Sequence, residues 1–126
     1  MSLLEDGWTI HVTQHAYDRF NERFRYKKRT VDRMAKVAYL KGVKHADTNG
    51  RLNAYITKRN QAYMTSGTDI RIYGEVVYIF VKHPSVQTVN LVTGVHLDND
   101  LKNQMRGVIR KRKEGRKEGS KEIETV

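Results

Sequence analysis

Residues Val76-Val77-Tyr78-Ile79-Phe80-Val81 form an unbroken apolar run. The run is short, β-branched and aromatic, so it reads as a strand. It has no polar face, so it reads as a central strand covered on both sides. A chain that holds such a strand has to build a sheet around it and supply apolar cover. The flanking residues agree. Ile70-Arg71-Ile72-Tyr73 alternates apolar and polar groups, and Gly74-Glu75 suits a tight turn. Lys82-His83-Pro84-Ser85, with the chain's single proline, reads as a loop, and a further strand is expected around Thr88 to Thr93. Consecutive strands joined by short connections favour an antiparallel meander.

The N-terminal half has a different texture. Trp8-Thr9-Ile10-His11-Val12 alternates and predicts a short strand. Thr13 is a good N-cap, and residues 14–24 predict a helix. Ala16, Tyr17, Phe20 and Phe24 fall on one side of it, and His15, Asp18, Arg19, Glu22 and Arg23 on the other. Thr30 can cap a second helix over residues 31–41, which Gly42 would stop. A weaker third helix is expected near residues 51–58. Asp98-Asn99-Asp100 can start a last helix from Leu101, with Met105, Val108 and Ile109 on its apolar stripe. The expected fold is α+β: an N-terminal strand and two or three helices packed on a twisted antiparallel sheet, then a C-terminal helix and a basic tail. Residues 1–110 read as one domain. Residues 111–126 lack an apolar stripe and read as a frayed helix end followed by disorder.

Composition narrows the function. The 126 residues include no cysteine, which excludes disulfides, thiolate zinc sites and a cysteine nucleophile. There is no apolar stretch of transmembrane length and no signal-peptide pattern at the start, so a cytoplasmic protein without a membrane partner is expected. The net charge is +10. Half lies in residues 1–101, with 15 basic and 10 acidic groups, and half in residues 102–126, with 9 and 4. A field of this sign concentrates polyanions, nucleic acid above all. An acidic protein surface is the other class of partner.

His15, Arg19 and Arg23 recur every four residues, so one helix edge presents an imidazole and two guanidiniums. Arginine holds phosphate through paired hydrogen bonds, and histidine moves a proton near neutrality. Metal-independent RNA cleavage needs an acid, a base and cations for the phosphorane charge. His15 is therefore the candidate proton carrier, and Arg19 and Arg23 the candidate phosphate ligands. The competing reading is an ordinary surface on which Glu22 satisfies Arg19 or Arg23.

Residues 12–23, with the pattern H-A-x-x-R-x-x-x-R from His15 to Arg23, resemble a family of small phage- or toxin-associated domains similar to RelE-type and barnase-like ribonucleases. Val76 to Phe80 and Leu91-Val92-Thr93 resemble that family's sheet strands. The likeness spans about residues 8–97, with Gly94 departing from the last strand motif. The resemblance implies helices packed on a twisted antiparallel sheet, with RNA lying across the sheet. It matches His15 to the helix histidine, Arg19 and Arg23 to its arginine partners, and Thr93 to a strand threonine. It assigns no proton-transfer role, because catalytic residues vary among its branches.

Several further residues complete the expected site. His96, after the last strand, would pair with His15 as acid and base if that strand packs beside the first helix. Tyr73 and Tyr78, beside Arg71 and Lys82, would stack bases if exposed; within its apolar run Tyr78 reads as core. Arg25, Lys27, Lys28 and Arg29, continued by Arg33 and Lys36, extend a phosphate track from the first helix. Arg110, Lys111, Arg112 and Lys113 in the tail would add affinity without reading sequence. His45 and His83 fall in loops without a local partner, and His11 faces solvent. No metal site, Walker loop or serine elbow is present in the pattern, and no cofactor is expected. Two functions fit. One is a metal-independent endoribonuclease of toxin type. The other is a non-catalytic phage-type accessory protein that occupies nucleic acid or the nucleic-acid channel of a host complex. RNA is favoured over DNA, and an antitoxin or host complex is the expected protein partner.

Overall fold

The computed structural model describes residues 2–3, 7–48, 50–63 and 67–111. Strands β1 (Ser2–Leu3) and β2 (Thr9–Val12) lead into helices α1 (Gln14–Phe24) and α2 (Lys28–Lys41). A short strand β3 (Val43–Lys44) and helix α3 (Gly50–Tyr63) follow. Strands β4 (Thr68–Tyr73), β5 (Val76–His83) and β6 (Thr88–His96) come next, and helix α4 occupies residues 99–111. The strands form one six-stranded sheet in the order β1-β2-β6-β5-β4-β3. The expected tail beyond residue 111, with Arg112 and Lys113, lies outside the described residues.

The α+β class is as expected, with one correction to the arrangement: the sheet is not purely antiparallel. β2 runs parallel to β6, with Ile10 opposite Val89 and Val12 opposite Leu91. Helices cover both faces, as the unbroken apolar run of β5 implies. On one face α1 and α2 enclose Ile10, Ala16, Phe20, Val31, Ala35, Ala38, Tyr78, Phe80 and Leu91. On the other, α3 and α4 enclose Leu52, Ile56, Ile70, Ile72, Val77, Ile79, Leu101 and Met105. The apolar run of β5 explains this. Its six residues from Val76 to Val81 are all buried, and their side chains point alternately into the two cores. Each large side chain fully buried this way contributes about 1.5–3 kcal/mol.

Local signals set most element ends. Thr13 caps α1: its Oγ1 accepts from the Ala16 N–H at 3.1 Å and donates to the Leu91 carbonyl at 3.2 Å, tying the helix start to β6. α2 begins at Lys28, earlier than Thr30 suggests, and its cap residue Lys27 makes no side-chain cap bond. β6 continues through Gly94 to His96 rather than ending at Thr93. The glycine has a packing reason. A Cβ there would lie 2.2 Å from Cζ of Phe20, so the Phe20 ring rests directly on the bare strand. That contact fixes where α1 crosses the sheet.

Candidate nucleic-acid interface

α1 presents its polar edge to solvent. On it Arg19 Nε points at His15 Nε2 from 3.4 Å, and Arg19 Nη1 pairs with Glu22 Oε2 at 3.1 Å. His15, Arg19 and Glu22 thus form a line along about two turns, with the guanidinium at its centre. His15 and Glu22 are exposed. Arg23 is held differently. Its Nη1 donates to the Gly94 carbonyl at 2.7 Å, which pins the C-terminal part of α1 to β6.

His96 does not join His15. β6 does pack beside α1, but it runs in the same direction as the helix. His96 therefore arrives at the helix end, where its Nε2 lies 3.1 Å from the Arg23 carbonyl and its ring packs 4.3 Å from that of Phe24. His15 is eight residues earlier, about 12 Å along the helix axis at 1.5 Å per residue. A two-histidine acid–base pair is corrected by that separation.

Of the other expected contacts, Arg71 and Thr93 are buried and Tyr73 is half-buried. Arg71 is only 6% exposed. Its Nε and Nη2 grip the two Asp69 carboxylate oxygens at 2.8 and 2.9 Å, Nη1 donates to the Tyr39 carbonyl, and the guanidinium lies 4.5 Å over the Tyr39 ring. Lys82 adds a second cation 3.3 Å from Asp69. Burial alone would raise the Asp69 carboxyl, but the Arg71 hydrogen bond and charge, with Lys82, more than offset it and hold it below its usual range. Thr93 is buried and lies opposite Ile79, so it belongs to the face covered by α3 and α4, across the sheet from His15. Tyr78 is fully buried, as its apolar neighbours implied, and Tyr73 is half-buried against the same core. Helices occupy that face, so the two tyrosines form no open stacking platform.

The basic connection from α1 to α2 is exposed. Arg25 ends α1 in the left-handed region at φ 60, with its N–H on the Asn21 carbonyl at 3.0 Å. The next N–H, of Tyr26, reaches the Phe20 carbonyl at 3.3 Å and folds the Tyr26 ring back toward Phe20. Lys27, Lys28 and Arg29 then open α2, whose first turn holds no acidic residue. Among the described residues none of Arg25, Lys27, Lys28 and Arg29 has a carboxylate within ion-pair distance; Lys28 Nζ lies 5.5 Å over the Tyr17 ring. Arg33 and Lys36 continue as exposed groups along α2. Arg110 and Lys111 are exposed at the end of α4, on the opposite side of the sheet.

Sequence reasoning missed the groove between α1 and this connection. It has a volume of about 250 Å³ and is lined by Tyr17, Asp18, Asn21, Glu22, Tyr26 and Lys28. The Tyr17 hydroxyl donates to Asp32 Oδ1, and burial, then the hydrogen bond and charge of Asp32, push it up to about 12. The spacing of Tyr17, Asn21 and Asp18, Glu22 along one helix was the available signal. A larger cleft of about 490 Å³ lies on the other face, between the start of α3 and the end of α4, and is partly apolar through Leu52 and Val108. Of the remaining histidines, His11 and His83 are exposed, while His45 has a partner after all, Thr57 Oγ1 at 3.0 Å. No group of three or more metal-ligating side chains occurs among the described residues, and none of their helices is long and apolar enough to cross a membrane.

No protein-family model matches this chain, and no curated protein matches it. Among solved structures, it is similar to a chain of the toxin–antitoxin complex RelBE2 from Mycobacterium tuberculosis. The TM-score is 0.39 and the sequence identity 14%, over 71% of this chain and 96% of that one.

Proposed function

We propose that this protein binds the sugar–phosphate backbone of nucleic acid in the cytoplasm, RNA in preference to DNA, through the outer edge of α1 and the α1–α2 connection. One observation carries the reading: the connection places exposed cations, with no ion-pair partner among the described residues, where backbone conformation at Arg25 and the helix start at Lys28 and Arg29 argue against them. A left-handed φ suits glycine, yet position 25 is an exposed arginine, at a cost of roughly 1–2 kcal/mol. A helix start favours acidic groups, yet α2 opens on Lys28 and Arg29 after an uncapped Lys27, each misplaced charge costing about 0.3–1 kcal/mol. Such placements make sense when an anion completes them. The residues beyond 110 add further positive charge to the chain as a whole.

A second reading adds metal-independent cleavage, and the 3.4 Å approach of Arg19 to His15 favours it. Arg19 would hold the phosphate. His15 would take the 2′-hydroxyl proton as the 2′ oxygen bonds to phosphorus and the P–O5′ bond breaks, with the leaving oxygen protonated from solvent or by the imidazolium. His96 has no part in this. Without cleavage, the same surface suits an accessory protein that occupies nucleic acid or a nucleic-acid channel in a host complex. An acidic protein, such as an antitoxin, would compete for it.

The test is a gel shift and cleavage assay on a mixed RNA pool in EDTA, from about pH 5 to pH 9, with wild type, His15→Ala and His96→Ala. A shift that weakens steeply with salt is expected of all three. Wild type that fails to retard RNA at low salt defeats the binding proposal. Cleavage lost in His15→Ala and kept in His96→Ala supports the second reading; cleavage that survives His15→Ala removes it.

A further inference from the structure

We infer that His96 is a positioning residue, which holds the end of α1 from β6 and so fixes the backbone from which Arg25 meets a phosphate; this rests on the backbone-binding reading above. The carbonyls at the end of α1 are satisfied in two ways. Two are taken locally, that of Asn21 by the Arg25 N–H at 3.0 Å and that of Phe20 by the Tyr26 N–H at 3.3 Å. Both bonds depend on the left-handed backbone of Arg25. The carbonyl of Arg23 is taken from outside, by His96 Nε2 at 3.1 Å, across 73 positions of the chain. A carbonyl only accepts, so Nε2 is the donor and carries the proton. Arg23 returns a bond to the same strand, its Nη1 donating to the Gly94 carbonyl at 2.7 Å. β6 thus grips position 23 twice, once through its backbone and once through its side chain.

The mount is firmer than what it holds. His96 is still paired in the sheet, opposite Val76, and the next N–H, of Leu97, reaches the Glu75 carbonyl at 3.2 Å. The His96 ring packs 4.3 Å from the Phe24 ring, which aims Nε2 at the helix end. On its other contact the Phe24 ring meets Tyr26 at 5.7 Å, so the histidine supports the connection through packing as well. α1 is a short helix of 11 residues, and fraying begins in the last turn. Arg25 lies two residues past the grip, in a conformation strained for any residue with a side chain. At a frayed end it would relax to an ordinary φ, and the Arg25 and Tyr26 N–H bonds would be lost with it. The guanidinium would keep its charge and lose its fixed place ahead of Lys27, Lys28 and Arg29. His96 in this role touches no phosphate and moves no proton; it acts only through the end of α1.

The experiment compares wild type, His96→Leu and His96→Gln. Leucine keeps apolar cover on Phe24 and has no donor, whereas glutamine offers an amide N–H at about the reach of Nε2. Amide hydrogen exchange reads the positioning without RNA. The Arg25 and Tyr26 N–H groups should exchange about two- to tenfold faster in His96→Leu and return toward wild type in His96→Gln. Fluorescence anisotropy over a salt series reads the consequence, with a 2′-O-methyl uridine oligomer that cannot be cleaved through its 2′ oxygen. His96→Leu should lower the salt slope by about one, as Arg25→Gly does, and the double variant should lower it by no more than about one. A merely stabilising histidine would leave the slope of the folded protein unchanged. Unchanged exchange at Arg25 and Tyr26 in His96→Leu overturns the inference whatever the RNA result. A double variant whose slope falls by the sum of the two single changes also overturns it. Wild type that fails to bind the oligomer defeats the backbone-binding proposal, and the exchange data then decide the positioning of Arg25 alone.

Discussion

Gly94→Ala should be the most informative single change to the scaffold, because it tests what seats the candidate site. The added methyl would lie 2.2 Å from Phe20 Cζ and 2.7 Å from both Cε atoms. Phe20 cannot swing aside. It is fully buried, with ring neighbours Tyr78 at 5.3 Å, Phe24 at 5.4 Å and Tyr26 at 6.1 Å. Overpacking of a tight core costs about 1–3 kcal/mol, and three simultaneous contacts on an enclosed ring place this case near about 3 kcal/mol. With a urea m-value of about 1–3 kcal/mol/M, the unfolding midpoint should fall by about 1–3 M with m unchanged. The damage should also reach function, since Arg23 and the Thr13 cap both tie α1 to β6. RNA affinity should therefore drop even in the folded variant. Phe20→Leu in the same chain should recover part of the loss, giving a coupling of about 0.5–3 kcal/mol between the two positions. A midpoint within error of wild type, or strict additivity of the two substitutions, would refute the claim that this ring-on-glycine contact positions the helix.

Other outcomes follow from separate features. Arg25→Gly should raise stability by about 0.5–1 kcal/mol, the left-handed penalty less the added freedom of the unfolded chain. It should at the same time weaken RNA binding and lower the salt slope by about one; a variant that gains nothing in urea contradicts the strain argument. Tyr78→Phe should stabilise by about 1 kcal/mol, because the buried Tyr78 hydroxyl has no hydrogen-bond partner among the described residues, which leaves its desolvation uncompensated. Thermal and urea unfolding both read this, and a loss of stability would show that the hydroxyl has a partner. The Asp69 carboxyl is depressed in the folded state, so its contribution is full above the unfolded value of about 3.9 and is lost as pH falls through the folded value. The stability gap between wild type and Asp69→Asn should accordingly shrink below about pH 4, and a gap that stays constant into acid would exclude the ion pair as its source.

What could be read from the residues was local. Thr13 and the amphipathic stretch after it specify α1 to its observed ends, because a cap and a periodic face act over a few residues. The β5 run implies a strand covered twice, and the weak third helix and the apolar stripe of the last helix are both legible; that these two pack together on one face is a long-range fact that no local pattern encodes. Arg71 looked like a surface cation in an alternating strand. Asp69, two residues earlier and so on the same face, was the available sign that it would be neutralised in place. His96 was misplaced for a different reason. Its position relative to His15 depends on where Phe20 lands on β6, and no local pattern encodes that. The parallel partner of β2 is likewise a long-range fact, fixed by burial of Ile10 and Val12 against residues far along the chain.

The pairing of β2 with β6 also sets a schedule for synthesis. Thr13 Oγ1 and the Leu91 carbonyl are 78 positions apart, and the strand that receives α1 is the last of the sheet. Until residue 96 has left the ribosome, α1 lacks the strand that carries its cap bond and the Arg23 bond, with only α2 and part of β5 to pack on. Its 11 residues fall short of the roughly 12–15 that hold a helix in water unaided. The cationic edge is therefore built all at once and late, from a nascent chain that carries the charges but not their geometry. Truncated products ending before β6 would be polycations without the geometry of the α1 edge, and any activity that depends on that edge begins only with the complete sheet.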